Sequence, residues 1–220
     1  HGTISARGDA DAGNGGFVEV SGKQNLTFTG GVDTTSPKGA VGTLLLDPDD
    51  LYISAGPVGG AVQDTTNPFQ ANDGVNDYYV LNTTLQALPA TTAVQLQANH
   101  DIIFQTGLAM PTTGAGSVTL NASHAITMAG FGLTTAGGNV SMTAGTGGIT
   151  NLGAIDLGGG ALTLNSTGAI TQNAGSLISG ATSLVKQGAG RLTLSNANTY
   201  TGLTTVSVGV LNLQNSNAAG

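Results

Sequence analysis

The 220-residue chain has no cysteine and no tryptophan, a single glutamate, three lysines and two arginines. Without cysteine there is no disulfide, no thiolate nucleophile and no Cys-based zinc site. Charged residues make up 8% of the chain, against about 25% in an ordinary soluble domain. The formal charge is −7 and the isoelectric point lies near 4.4. A surface so poor in cations has little to set against a row of phosphates, so nucleic acid is not an expected partner. No apolar run approaches the roughly 18 residues that cross a bilayer, so direct membrane insertion is not expected either. Aromatic residues are 4% of the chain, so any core must be aliphatic.

What is abundant is small and polar without being ionic. There are 36 glycines, 31 threonines and 17 asparagines. Hydrophobic residues still make up 39% and mean hydropathy is +0.14, which is more apolar material than a solvated coil carries. No secretory signal peptide opens the sequence, which starts His1-Gly2-Thr3 in mid-pattern, so a mature chain or a segment of something longer is expected.

The apolar residues recur with a fixed period. Val94, Val118, Val140 and Leu162 are spaced 24, 22 and 22 residues apart, and Ile102, Ile126, Ile149 and Ile170 are spaced 24, 23 and 21. Inside each unit the period is two, as in Val118-Thr119-Leu120, Val140-Ser141-Met142 and Leu162-Thr163-Leu164. That alternation puts aliphatic side chains on one face of a short strand and Thr, Ser or Asn on the other. Gly-rich corners such as Gly158-Gly159-Gly160 separate the strands. A repeat of about 22 residues with two or three short strands predicts an all-β parallel β-helix, in which each strand pairs with its counterpart in the next coil. Dividing 220 residues by 22 gives ten coils.

Two stretches depart from the pattern. Asp47-Pro48-Asp49-Asp50 reads as a turn after the buried run Leu44-Leu45-Leu46. Gly56 to Val80, with two prolines and the run Asn72-Asp73-Gly74-Val75-Asn76-Asp77, reads as a loop extruded from the rod. Leu81 to Leu88 then reads as a short helix or irregular coil closed by Pro89. The expected division is residues 1–55 as coils, 56–90 as loop and irregular coil, 91–183 as regular coils, and 184–220 as a distinct final repeat.

Two blocks carry a family resemblance. Gly15-Gly16-Phe17-Val18-Glu19-Val20-Ser21-Gly22, with Gly42-Thr43-Leu44-Leu45-Leu46-Asp47-Pro48 and then Val94 to Ile102, resembles filamentous-haemagglutinin-like adhesins exported by two-partner secretion. Leu184-Val185-Lys186-Gln187-Gly188-Ala189-Gly190-Arg191-Leu192-Thr193-Leu194, running on through Asn196, Asn198, Tyr200 and Gly202, resembles the passenger-associated repeat of autotransporter adhesins. The resemblance implies a right-handed parallel β-helix, secreted to the outer surface of a Gram-negative cell. It implies an outer-membrane transporter as partner during secretion, and a role in attachment to cells, host surface or biofilm matrix.

Candidate sites are few. Arg7-Gly8-Asp9 spells a cell-attachment tripeptide, with a residue in a coil corner as the plainer reading. His100 and His124 fall at matching positions of successive repeats and would stack, with Asp101 nearby; no metal or other cofactor is expected, and the pair reads as exposed corner residues that are also the candidates for a metal. Asp73, Asp77, Tyr78 and Tyr79 form a candidate ligand-binding patch, because aromatic faces stack on pyranose rings and carboxylates accept hydroxyl hydrogens. A surface glycan or matrix polysaccharide is the corresponding partner, either for an adhesive stalk or for a carbohydrate-binding module in residues 56–80. Catalysis is not expected. Glu19 is the one glutamate, Arg7 and Arg191 lie far apart in sequence, and Asp156 stands among glycines, so the carboxylate cluster of a polysaccharide-active β-helix is missing.

Overall fold

A computed structural model describes residues 2–21, 30–47, 50–56, 77–114 and 116–220. Among them the chain winds as a parallel β-solenoid with three faces. The first face stacks eight parallel strands: Phe17–Ser21, Thr43–Asp47, Ala93–Ala98, Ser117–Ala122, Asn139–Ala144, Ala161–Ser166, Ser183–Gln187 and Leu203–Val206. The second stacks another eight, from Asp77–Leu81 and Asp50–Ser54 through Asp101–Phe104, Ala125–Thr127, Gly148–Leu152 and Ile170–Gln172 to Arg191–Leu194 and Val210–Leu213. The third is made of two-residue strands, Leu108–Ala109, Leu133–Thr134, Ile155–Asp156 and Ile178–Ser179.

The repeat read from the sequence is the register of the sheets. Val94, Val118, Val140 and Leu162 are direct partners up the first face, and Ile102, Ile126, Ile149 and Ile170 up the second. Leu108, Leu133, Ile155 and Ile178 form the matching column on the third. All of these are buried, and together they make one continuous aliphatic core. Each such side chain contributes about 1.5–3 kcal/mol relative to exposure, so the core is supplied rung by rung. Thr119, Ser141 and Thr163 occupy the outward positions between them, where β-branched and small hydroxyl residues suit a half-exposed pleat.

Corners close by contact between glycines and backbone. A Cβ on Gly153 would lie 1.8 Å from the Phe131 carbonyl oxygen, and one on Gly190 would lie 1.8 Å from that of Gly168. Neither position needs an unusual φ; what excludes a side chain there is the rung below.

Eight strands on the first face give seven steps, so the solenoid has about seven turns rather than the ten that the repeat length divides into the chain. Part of the difference is the chain before Phe17 and after Val206, which lies outside those seven steps, and part is one long turn. From Thr43 to its register partner Ala93 the chain spends 50 residues, where Ser117 to Asn139 takes 22. Part of the excess, residues 57–76, lies outside the described residues. The rest corrects the expected loop at its end. Asp77–Leu81 is a strand, paired in parallel with Asp50–Ser54 on the edge opposite to Asp101–Phe104. The chain therefore steps back by one rung before going on. Tyr79 and Val80 are 2% and 1% exposed; Val80 joins the aliphatic core beside Ile53, and its burial holds the segment on the sheet.

A single-turn helix, Asn82–Gln86, follows, with Leu85 buried. It lies between Gly31–Asp33, which pairs with Thr3–Ser5, and Leu108–Ala109. Asn82 Nδ2 donates to the Gly107 carbonyl at 3.2 Å. The helix thus takes a third-face position and interrupts the ladder there.

Candidate functional site

Among the described residues, the densest group of chemically able side chains sits where the second face begins. Register places Asp50 beside Asp101, and Asp101 beside Ala125. Asp50 Oδ1 accepts the Asp101 N–H at 2.9 Å, and Asp101 Oδ1 accepts the Ala125 N–H at 2.8 Å. Each carboxylate therefore caps the strand of the next rung. The residue before each capped strand is a histidine, and its Nδ1 meets the same oxygen: His100 to Asp50 Oδ1 at 3.2 Å, His124 to Asp101 Oδ1 at 2.8 Å. A carboxylate only accepts, so Nδ1 carries the hydrogen on both rings. The rings stack with centroids 4.7 Å apart and an interplanar angle of 16°. The stacking expected from the repeat is present, and the Asp101 carboxylate faces the Nδ1 atoms of both rings, with its Oδ2 3.4 Å from His100 Nδ1.

Beside this corner runs a shallow groove of about 400 Å³, lined by Gln97, Ala98, Asn121, Ala122, Ser123, Thr143, Ala144 and Gly145. Gln97, Asn121 and Thr143 are register partners, so amide and hydroxyl groups repeat along it from rung to rung.

The other sequence candidates are placed apart from it. Arg7, Gly8 and Asp9 lie in a loop closed by the Gly16 N–H donating to the Ala6 carbonyl, and the loop of the next rung packs beneath it. Gly8 N–H donates to the Thr35 carbonyl at 2.9 Å, and Arg7 Nε pairs with Asp33 Oδ2 at 3.4 Å. The tripeptide is thus held by its glycine backbone and its arginine. Asp33 is held below the ordinary carboxylate pKa of 3.8, first by the Thr35 hydroxyl, then by the Thr35 N–H, with Arg7 adding to the effect. Tyr79 is buried on a strand, in the register column of Tyr52, rather than on a ligand-facing loop, and burial raises its phenol pKa. Asp73 lies outside the described residues, and Asp77 and Tyr78 are placed as backbone of the same strand as Tyr79.

Sequence reasoning passed over Lys186. It is fully buried, in the column of Leu164 and Val206 on the first face. Its Nζ reaches the corner and donates to the carbonyls of Gly188 at 2.8 Å and Val208 at 3.5 Å, as well as that of Gln187. Burial lowers its pKa from 10.5. The signal was available: stacked under Leu162-Thr163-Leu164, the run Leu184-Val185-Lys186 puts the lysine inward. Above it, Asn198 fills a buried third-face position. Its Oδ1 accepts from Gln172 Nε2 and from Ile178 N–H, and its Nδ2 donates to the Ala218 carbonyl at 2.7 Å. Tyr200, 1% exposed, bonds Thr204 Oγ1 at 2.7 Å.

These residues belong to one recurrent unit. Residues 184–213 match the family described as passenger-associated-transport-repeat. No curated protein and no solved structure matches the chain. The matched segment comprises the last two strands of each long face, and its side chains are the parts just described. Lys186 caps a corner, Gly190 lets one rung close on another, and Asn198 and Tyr200 fill the third face. The match and the solenoid together fit a secreted, passenger-type β-helix. Among the described residues no helix is long and apolar enough to cross a membrane.

Proposed function

We propose that this chain is a rod segment of a large surface adhesin, which carries a binding region away from the Gram-negative cell that secretes it. The observation that supports this most is the passenger-associated-transport repeat at residues 184–213, continuous in register with the coils before it. In this reading the chain crosses the outer membrane through a transporter unfolded and gains structure outside. A solenoid suits that route, because each rung contacts chiefly its neighbours and can be added to those already formed. Export by two-partner secretion is the finer form of the proposal, and it rests on the haemagglutinin-like resemblance of the first hundred residues alone. The chain is not an enzyme in this reading: Glu19 is in the Phe17–Ser21 strand, and Arg7 and Arg191 lie on distant rungs.

A second reading is favoured by the groove along Gln97, Asn121 and Thr143. Uncharged amides and hydroxyls repeating at strand spacing present a row of donors and acceptors to an extended polysaccharide. The two readings separate in one experiment. The chain is displayed on a non-adherent cell, and attachment to immobilised glycans and matrix polysaccharide is counted against cells displaying an unrelated solenoid of equal length. Attachment that Asn121→Leu removes supports binding by this segment; attachment equal to the control supports the rod alone. Failure of the chain to reach the surface in folded form overturns both.

A further inference from the structure

We infer that His100, Asp101 and His124 form a binding site for one divalent first-row transition ion, with Zn2+ as the simplest occupant, that pins two successive rungs together. One ligand atom from each of the three residues lies within 4.8 Å of the others. The Asp101 carboxylate meets both Nδ1 edges, its Oδ2 3.4 Å from His100 Nδ1 and its Oδ1 2.8 Å from His124 Nδ1. A tetrahedral ion with metal–nitrogen and metal–oxygen bonds near 2.0–2.1 Å has ligand–ligand edges of about 3.3 Å, close to the spacing of these atoms; the rings stack 16° from parallel, so one imidazole turns to bring both Nδ1 lone pairs onto the ion. Two imidazoles and one carboxylate suit zinc, copper or nickel and not calcium, which takes oxygen ligands.

The surroundings support the three ligands. Asp101 is held in place by the Ala125 N–H at 2.8 Å, the kind of outer hydrogen bond that orients a ligating carboxylate. Asp50 Oδ1 lies 3.2 Å from His100 Nδ1 and outside the group of three mutually close ligand atoms. The sheet fixes the spacing of the two histidines, since the His124 N–H donates to the His100 carbonyl at 2.9 Å. The position above His124 in the next rung is Gly147, where a Cβ would lie 2.8 Å from the imidazole. The absence of a side chain there leaves that side of the ring open. On binding, the hydrogen on each Nδ1 moves to Nε2 or to solvent, and the nitrogen lone pair goes to the ion.

The test is isothermal titration of the untagged 220-residue chain with ZnCl2, beside His100→Gln, His124→Gln, Asp101→Asn and His1→Gln. Asp101→Asn keeps an oxygen for the Ala125 N–H, so loss of metal in that variant is not loss of the strand cap; far-UV circular dichroism verifies the fold of each. The expected result is one equivalent bound by the parent and by His1→Gln, at least tenfold weaker binding in the other three, and Nδ1 coordination in long-range 15N NMR spectra of the imidazoles. No binding, binding that is unchanged in His100→Gln and in His124→Gln, or binding lost with His1 alone overturns the inference.

Discussion

His124 Nδ1 and the Ala125 N–H both meet one oxygen, Asp101 Oδ1, at 2.8 Å. One carboxylate on one rung therefore closes the start of the next strand and orients the side chain that precedes it. The same construction appears one rung earlier with Asp50, the Asp101 N–H and His100.

Asp101→Ala leaves the Ala125 N–H without that acceptor and is expected to cost about 1–3 kcal/mol. Asp101→Asn retains an acceptor and should cost distinctly less. Urea unfolding of the two variants checks the order; equal losses would assign the effect to charge rather than to the cap.

Gly190→Ala puts a methyl 1.8 Å from the Gly168 carbonyl oxygen, so the two rungs must move apart. A loss of about 1–3 kcal/mol is expected, as for overpacking elsewhere. Hydrogen exchange should quicken first around Arg191–Leu194 and Ile170–Gln172, which pair beside the site. Unchanged protection there would contradict the close contact.

Lys186 gives a pH dependence with a definite sign. Burial lowers its folded-state pKa below 10.5, so between the folded value and 10.5 the unfolded chain binds the extra proton. Its contribution to stability accordingly rises with pH through that window. The melting temperature of the parent should therefore gain on that of Lys186→Met as pH is raised from 7 to about 10. The comparison with the variant removes the opposing effect of Tyr79 and Tyr200, whose raised pKa values weaken the fold at higher pH. A constant or shrinking difference would contradict the buried placement.

Asp33 has the same sign in the acid range. Its pKa is lowered by the Thr35 hydroxyl, the Thr35 N–H and Arg7, so the stability it contributes is present above 3.8 and is lost as pH falls through the folded value. Asp33→Asn should reduce the acid sensitivity of the first-rung loops, read as a smaller rise in proteolysis around Ala6 to Gly16 between pH 5 and pH 3. Equal acid sensitivity in both would show that the carboxylate has no such role.

The regular half of the rod was legible because two periods coincide in it. Val118, Val140 and Leu162 carry the coil period, and Val118-Thr119-Leu120 carries the strand period, so partner and facing are fixed together. His100 and His124 followed from the same alignment. The backward step of Asp77–Leu81 was not legible, because alternation marks a strand without naming its neighbour, and this one pairs on the edge opposite to Asp101–Phe104. Tyr79 was read as exposed because the residues before it are acidic and Gly-rich; burial of the ring outweighed that local composition. Lys186 was hidden by its charge, although its four-carbon stem fills an aliphatic column while the amine reaches the corner carbonyls.

The central claim is a rung-stacked rod that takes its structure on the outside of the cell, and Val140 tests it most directly. Val140 is 1% exposed, between Val118 and Leu162 in the middle of the first face. Val140→Asp buries an unpaired charge, expected to cost more than about 4 kcal/mol. With the chain carried as the passenger of an autotransporter, added protease is applied to intact cells and the surface product is measured. The account predicts a protease-resistant product for the parent and for Thr119→Ser, and for Val140→Asp a protease-sensitive chain with reduced display. Normal, resistant display of Val140→Asp would contradict both the register and the proposed folding route.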